Sequence, residues 1–595
     1  MTQYKQFDCD VLVIGAGGAG LRAAIEAADQ GGKVFVVTKS LLGKAHTVMA
    51  EGGIAASMGN LYPQDGWKVH FRDTMRGGKF LNNWQMALIH AKEVTDRVYE
   101  LEAWGALFDR TDKGLISQRD FGGHRFARLA HVGDRTGLEM MRVLQNKVVS
   151  KDVEVFMEFS IISLLVENEV VCGALGYQRT SGEFIVFSAR AVILATGGIG
   201  RLYEITSNSW ESSGDGHALA LQAGAELIDM EFIQFHPTGM VWPPSVRGLL
   251  VTEGVRGDGG ALKNSLGQRF MFNYIPKMFE QETADSEEEA DRWYVDKQSA
   301  RRTPDLLPRD EVAKAINSEV KQGRGSPHGG VFLDIATRRD PEYIKRKLPS
   351  MYRQFLELAD VDITKDPMEV GPTCHYIMGG LRVDPETTAS SISGLFAVGE
   401  VAGGMHGANR LGGNSLGDLL VFGKRAGQAA FDFASNVNRQ SLNQAKIEDL
   451  ISESVSPLKR HSGYNPYELE KQLQSCMQSN VGIVRTDPEL RTALEVLEDL
   501  SQKATQLQVS GTTKFNPGWN LSQDLPSMIL VAKAITIAAL ERKESRGAHT
   551  RIDFPIPDED FGKTRFVVKK DLQDLSCRSV AIQQPPPQLQ ELLRT

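Results

Sequence analysis

Val11-Leu12-Val13-Ile14, running into Gly15-Ala16-Gly17-Gly18-Ala19-Gly20, is the stretch on which the fold turns. Leu21 to Asp29 then reads as a helix rich in Ala and Glu, and Lys33-Val34-Phe35-Val36-Val37 as a second strand. Strand, glycine turn, helix and strand within about 30 residues open a dinucleotide-binding βαβ unit. The first glycine permits the tight turn, the second lets backbone approach a pyrophosphate, and the third lets helix and strand pack closely. The helix start then turns its free N–H groups toward the phosphates. A nicotinamide-binding unit usually ends its second strand in Asp or Glu for the ribose hydroxyls. Here the strand ends Thr38-Lys39-Ser40, which weakens a simple NAD reading.

Outward from this unit, two more strands run into glycine: Ala191-Val192-Ile193-Leu194-Ala195-Thr196-Gly197-Gly198 and Gly394-Leu395-Phe396-Ala397-Val398-Gly399-Glu400. Three such elements separated by long insertions predict an α/β fold, with one Rossmann-like nucleotide-binding domain assembled from residues 1–235 and 372–432. The block 236–371 differs in character and reads as an inserted α+β capping domain. Its acidic run from Asp285 to Asp291 reads as a solvated insertion rather than a binding site. From 433 glycine thins, and Glu468 to Leu473 and Glu489 to Leu500 show helical spacing, which predicts a helical domain over 433–546. Residues 547–595 read as a small, irregular C-terminal unit ending in Pro585-Pro586-Pro587 and a polar tail.

Composition narrows the function classes. With 595 residues the chain exceeds one hydrophobic core, and roughly 150 residues per domain suggests about four units. A content of 41% apolar and 24% charged residues is that of a globular protein. The net charge of −8 leaves no basic surplus for nucleic-acid phosphates. Cys9, Cys172, Cys374, Cys476 and Cys577 are scattered without metal-ligand spacing, so neither a disulfide scaffold, a metal site nor an iron–sulfur cluster is expected within this chain. Asp8 and Asp10 precede the first apolar run, unlike a signal peptide. Met528 to Leu540, broken by Lys533, is too short to span a bilayer, so membrane association is expected to come through a partner.

Four polar constellations lie beside glycines: His46-Thr47-Val48-Met49-Ala50-Glu51-Gly52-Gly53; Phe235-His236-Pro237-Thr238-Gly239; Thr252-Glu253-Gly254-Val255-Arg256-Gly257 with Arg309-Asp310 beyond; and Cys374-His375-Tyr376 followed by His406-Gly407-Ala408-Asn409-Arg410-Leu411-Gly412-Gly413-Asn414-Ser415-Leu416. With these strings in this order, and Glu541 to His549 after them, the chain resembles the flavoprotein subunit of succinate dehydrogenase and fumarate reductase along nearly its whole length.

The resemblance implies that His46 bonds covalently to the flavin 8α-methyl group of FAD. Such a bond raises the flavin's reduction potential and favours hydride removal from an unactivated C–C bond. It also implies FAD contacts from Gly15, Ala16, Gly17, Gly18, Ala19, Gly20, Thr38, Lys39, Ser40, Thr47, Gly52, Gly53, Asp215, Glu400, Ser415 and Leu416. Succinate is a dianion, and arginine grips a carboxylate with two parallel hydrogen bonds. The substrate role falls by resemblance to Arg410, His375, His236 and Thr252. The proton carrier corresponds to Arg309, with Glu253 and Arg256 as its relay. Arginine's pKa lies above 12 in solution, so it serves as acid or base only if the proton passes on at once.

The implied activity is oxidation of succinate to fumarate by the catalytic subunit of a succinate:quinone oxidoreductase. Two alternatives stand beside it: a quinol:fumarate reductase running in reverse, and a soluble L-aspartate oxidase, against which His46 counts. Glu51 stands where succinate dehydrogenases often have Gln and fumarate reductases often have Glu, which leaves the direction open. The segment beyond His549 departs from the family's tryptophan-bearing ending. Because this chain offers the electrons no cysteine cluster, the resemblance implies an iron–sulfur subunit and membrane-anchor subunits with quinone. Those partners would hold it at the inner, cytoplasmic face of the membrane.

Overall fold

The computed structural model describes residues 4–297, 299–571 and 574–594. Its central sheet grows outward from the strand Tyr4–Ile14, which pairs in parallel with Val34–Val37 on one side and Phe184–Leu194 on the other. Leu395–Ala397 pairs in parallel with Phe184–Leu194, and Glu154–Phe156 lies beyond Val34–Val37. The three glycine-ended runs thus stand side by side, with their glycines at one edge of the sheet. Their apolar residues are buried on both faces, as a parallel sheet covered by helices requires. Helices Gly18–Asp29 and Asn414–Asn436 pack against each other on this sheet.

A second, antiparallel sheet joins Ile233–Met240, Met368–Ile377, Val331–Asp334 and Ala261–Lys263. With the helix Arg309–Lys321 it encloses its own core, which includes Val255, Leu262, Val312 and Leu333. Ile233–Met240 and Met368–Ile377 carry the chain out of and back toward the nucleotide-binding part. They therefore bring His236 and His375 to its edge.

The helical spacing at 468–473 and 489–500 marks the centres of longer helices, Pro466–Asn480 and Asp487–Ala504. The late apolar stretch is longer than its sequence suggests. It lies in a 25-residue helix, Pro517–Glu541, which by length and composition would pass for a membrane span. Its apolar side chains, Trp519, Leu525, Met528 and Ile535 among them, are buried in the protein core. The polar run Asn520-Leu521-Ser522-Gln523-Asp524 disguises the first half of this helix, because Gln523 and Asp524 find their partners, the Ser454 carbonyl and Lys39, only in the folded chain.

The C-terminal segment is not irregular. Thr564–Asp571 and Asp574–Ala581 form a hairpin that extends a sheet through Leu227–Ile228 to Gly380–Leu381. A last helix, Pro587–Arg594, lays Leu589, Leu592 and Leu593 against the buried cluster of Phe71, Met75, Ala87 and Ala91. The alternation that would mark the hairpin is masked by Lys569 and Lys570 at the end of its inner strand and by Asp574 and Arg578 on its exposed outer strand. The acidic run is largely exposed, as a solvated insertion would be, and it is also ordered. It forms the helix Glu287–Trp293, in which Asp291 pairs with Arg269 and Arg338 and Glu289 with Arg301, so part of its charge is neutralised locally.

Between the helices Trp67–Gly77 and Trp84–Ala103, which carry His70 and His90, lies a row of buried imidazoles, with His70 5.3 Å from His90 and 6.1 Å from His124 between ring centroids. Burial pushes His90 and His124 down to about 3 and His70 well below its usual value. The folded chain keeps all three neutral, whereas the unfolded chain protonates them near 6.5. Their share of the stability is therefore intact above that pH and is lost as the pH falls below it. Each unprotonated imidazole costs about 1.4 kcal/mol per pH unit below that point. The melting temperature should accordingly drop steadily from about pH 7 to about pH 5. A flat profile would show that the folded protein takes up these protons.

Candidate active site

The turn after Tyr4–Ile14 is held by contact rather than by side chains. Gly15 has φ +115°, and a Cβ at Gly20 would stand 1.9 Å from the Gly15 carbonyl oxygen. Neither position tolerates another residue. The helix that follows has no side-chain cap, so its first-turn N–H groups face the adjoining space. Gly18 N–H alone is engaged, donating to Thr47 Oγ1 at 3.2 Å.

That space is one continuous cavity. Gly15, Ala16, Gly17, Gly18, Ala19, Thr38, Lys39, His46, Thr47, Gly52, Gly53, Asp215, Glu400, Ser415 and Leu416 line it, and so do His236, Thr252, Glu253, Arg309, His375 and Arg410. Three expected residues stand off its wall. Gly20 packs behind the turn on Gly15; the Ser40 carbonyl accepts from Glu158 N–H; and Arg256 lies wholly buried behind Glu253.

At the glycine end, Lys39 Nζ lies 3.1 Å from Asp215 and 3.0 Å from Asp524, so its charge is already paired. Asp524 belongs to the helix Pro517–Glu541, which ties the helical region to the cavity floor. Glu400 accepts from Ile377 N–H at 3.0 Å, and burial pushes its carboxyl up to about 7. In the middle of the cavity, His46 sits in a short 3₁₀ turn. Burial, with help from the charge of Arg410, pushes its imidazole down to about 4, so it is neutral at physiological pH. Asn208 Nδ2 donates to His46 Nε2 at 3.1 Å and to the His375 carbonyl at 3.0 Å. Beside it, burial and the neighbouring Asp134 hold the Glu51 carboxyl well above the usual range, so it carries its proton.

The far end is cationic. Arg410 donates to Ser415 Oγ at 2.5 Å, and its guanidinium lies 4.3 Å from the centre of the Tyr376 ring. The rings of His236 and His375 are 5.2 Å apart between centroids. Burial and then the surrounding arginines hold both well below their usual value, so they are neutral hydrogen-bonding groups. Arg309 Nε donates to Glu253 Oε2 at 2.9 Å, and Glu253 also lies 3.9 Å from Arg256 Nη2. Burial alone would raise the Glu253 carboxyl, but Arg309 and Arg256 outweigh it and hold it at about 2. Arg256 Nη1 donates to the Asp305 carbonyl at 2.5 Å, and Tyr294 Oη donates to the Arg256 carbonyl at 2.7 Å. Residues near the acidic run thus close the back of this ion-pair row.

The residues present fit FAD. The glycine-lined part of the cavity offers bare backbone and an uncapped helix start. Polar atoms along it, Thr196 Oγ1, His46 Nδ1, Glu51 Oε2 and Arg410 Nε, are buried without a partner. Such groups call for an occupant that carries its own donors and acceptors.

Known proteins agree. A model described as an FAD binding domain matches residues 10–416, and one described as a fumarate reductase flavoprotein C-terminal domain matches residues 470–591. The chain belongs to the succinate dehydrogenase and fumarate reductase flavoprotein family.

Among relatives of this flavoprotein, a component of the fumarate reductase (CoM/CoB) of Methanothermobacter marburgensis is 44% identical, over 96% of this chain and 98% of that one. The succinate dehydrogenase flavoprotein subunit of Coxiella burnetii is 36% identical, over 94% of each. The solved structure of Mycobacterium smegmatis Sdh1 in complex with UQ1 matches with a TM-score of 0.85 at 55% identity, covering 98% of this chain and 95% of that one. The chain is thus an FAD-dependent oxidoreductase of the complex II flavoprotein type, with an α/β FAD-binding fold, a cap and a helical region.

Several residues of this flavoprotein's site carry no signal in the sequence. Asn208, which orients His46, and Asp524, which pairs Lys39, stand in unremarkable surroundings. Gln234, two residues before His236, is wholly buried and touches both cavity arginines. Its neighbours in the chain were readable, but its own role depends on partners far away in sequence.

Proposed function

We propose that this chain is the catalytic subunit of a succinate:quinone oxidoreductase, oxidising succinate to fumarate on FAD linked covalently through His46. The observation that carries the reading is the charge at the far end of the cavity. Arg309, Arg256 and Arg410 bring three guanidiniums and Glu253 one carboxylate, leaving two positive charges for a dianion. Arg410 grips one carboxylate, and neutral His236, His375 and Thr252 donate hydrogen bonds to the substrate's carboxylate oxygens. Bound FAD supplies the hydride acceptor. Arg309 first releases a proton to Glu253, a passage that the 2.9 Å contact shortens to one hydrogen bond, and then, as a neutral guanidine, takes the proton from the adjacent methylene and regains its charge, with Arg256 beyond Glu253 continuing the relay. A neutral His46 suits the proposed linkage, because only an unprotonated ring nitrogen can form the bond.

Electrons then leave for an iron–sulfur subunit and a quinone-reducing membrane anchor, which hold the chain at the inner face of the membrane. Fumarate reduction is the second reading. Glu51 favours it, since a protonated carboxyl at the cavity's centre stabilises added negative charge there.

The test is anaerobic. Succinate should bleach the flavin absorbance and fumarate restore it. Arg410→Ala should raise the succinate KM by about 100-fold with a smaller fall in kcat, because a charge-assisted bidentate grip is lost. An unchanged KM would remove Arg410 from the substrate site, and a flavin indifferent to both dicarboxylates would reject the proposal.

A further inference from the structure

We propose that Gln234 is a positioning residue for this site, its side-chain oxygen fixing the spacing of Arg309 and Arg410 by serving both as a common acceptor. The inference rests on the dicarboxylate reading above. Arg410 Nη2 donates to Gln234 Oε1 at 3.0 Å and Arg309 Nη1 at 3.3 Å. On its other side, Gln234 Nε2 donates to Asn409 Oδ1 at 2.7 Å and to the Arg410 carbonyl at 2.8 Å. Asn409 is itself oriented, since its Nδ2 donates to Asp310 Oδ1 at 2.7 Å. All four bonds of the amide are therefore made, and its orientation is determined by its partners rather than by convention.

The arrangement is a closed ring. Asp310 and Arg309 are chain neighbours at the start of the helix Arg309–Lys321, and Asn409 and Arg410 are chain neighbours in a loop beside the FAD cavity. Gln234, on the strand Ile233–Met240, closes the gap between them. Two like-charged guanidiniums repel, and the charge of Arg309 acts on Arg410 in the direction that disfavours a second cation. A neutral acceptor between them offsets this repulsion without consuming the charge needed for a dianion. Only a side-chain amide accepts twice on one side and donates twice on the other. Glutamate would present an oxygen to the Asn409 oxygen and the Arg410 carbonyl. It would also neutralise one of the two spare charges.

The experiment compares Gln234→Glu and Gln234→Leu with wild type in the flavin-loaded protein assembled with its partners, using succinate as the probe. Steady-state kinetics, pH profile, flavin content and melting temperature are read together. Gln234→Glu should raise the succinate KM by about 10- to 100-fold, the range expected for a lost interaction with a charged group. It should also shift the pH profile of succinate oxidation to higher pH relative to wild type, because an added carboxylate disfavours loss of the Arg309 proton. Gln234→Leu should raise KM and lower kcat, each by about tenfold, as the two guanidiniums part. Gln234→Glu keeps the shape of the side chain and decides the matter should Gln234→Leu fail to fold. Variants that melt earlier but keep wild-type KM and pH profile would overturn the proposal and leave Gln234 a packing residue. A wild-type protein that neither binds nor oxidises succinate would instead overturn the dicarboxylate reading, and this inference with it.

Discussion

Arg309→Lys is expected to lower turnover by about 10³-fold or more while FAD stays bound, the scale of a lost general acid–base group. Arg309 reaches Glu253 through Nε and Gln234 through Nη1, so two arms of one planar fork are in use while the group faces the cavity. Lysine keeps the positive charge but offers a single point on a flexible stem, and cannot make both contacts at once. The proton path to Glu253 would open, and the ammonium would have no fixed place beside the substrate. Flavin content should not change, because the glycine cradle lies at the opposite end of the cavity. Single-turnover kinetics after rapid mixing with succinate would check this. Flavin bleaching at the wild-type rate in Arg309→Lys would exclude Arg309 from proton transfer.

His46→Ser should leave FAD bound but extractable, with succinate oxidation down by about tenfold or more and fumarate reduction largely kept. The cradle that holds the rest of the cofactor does not involve His46, so retention survives. The proposed link raises the flavin's affinity for electrons, and every 1.4 kcal/mol lost from that driving force costs about tenfold in rate when it appears in the barrier. Only the oxidising direction depends on it. The check has two parts. Acid-denatured protein run on a gel should fluoresce as a flavin band in the wild type and be dark in the variant. Rates in the two directions should then diverge. Equal losses in both directions would contradict the redox argument, and a dark wild-type band would remove the covalent bond and revive the unlinked readings.

Much of the fold was open to reading from local pattern. The strand and turn at 11–20 and the strands ending at Leu194 and Ala397 obey rules that act over a few residues, and glycine positions mark them. The C-terminal hairpin and the first half of Pro517–Glu541 escaped, because their burial is conferred by other segments. Leu227–Ile228 pairs Thr564–Asp571, and Lys39 neutralises Asp524. Periodicity cannot show a partner that lies far away in the chain.

The site divides along the same line. The residue types of the cationic end, His236, Thr252, Glu253, Arg309, His375 and Arg410, are written in short strings whose chemistry is legible one string at a time. Their convergence on one cavity is a tertiary fact. So is the neutrality of His46 and Glu51, which follows from burial and from charges contributed by Arg410 and Asp134. The same holds for the pairing of Lys39 by Asp524 and the bridge of Gln234 between two arginines. Backbone conformation and side-chain chemistry are local properties and travel with the sequence. Dielectric surroundings, charge balance and hydrogen-bond partners are set by which segments the fold brings together, and they settle here which groups carry protons and where the guanidiniums point.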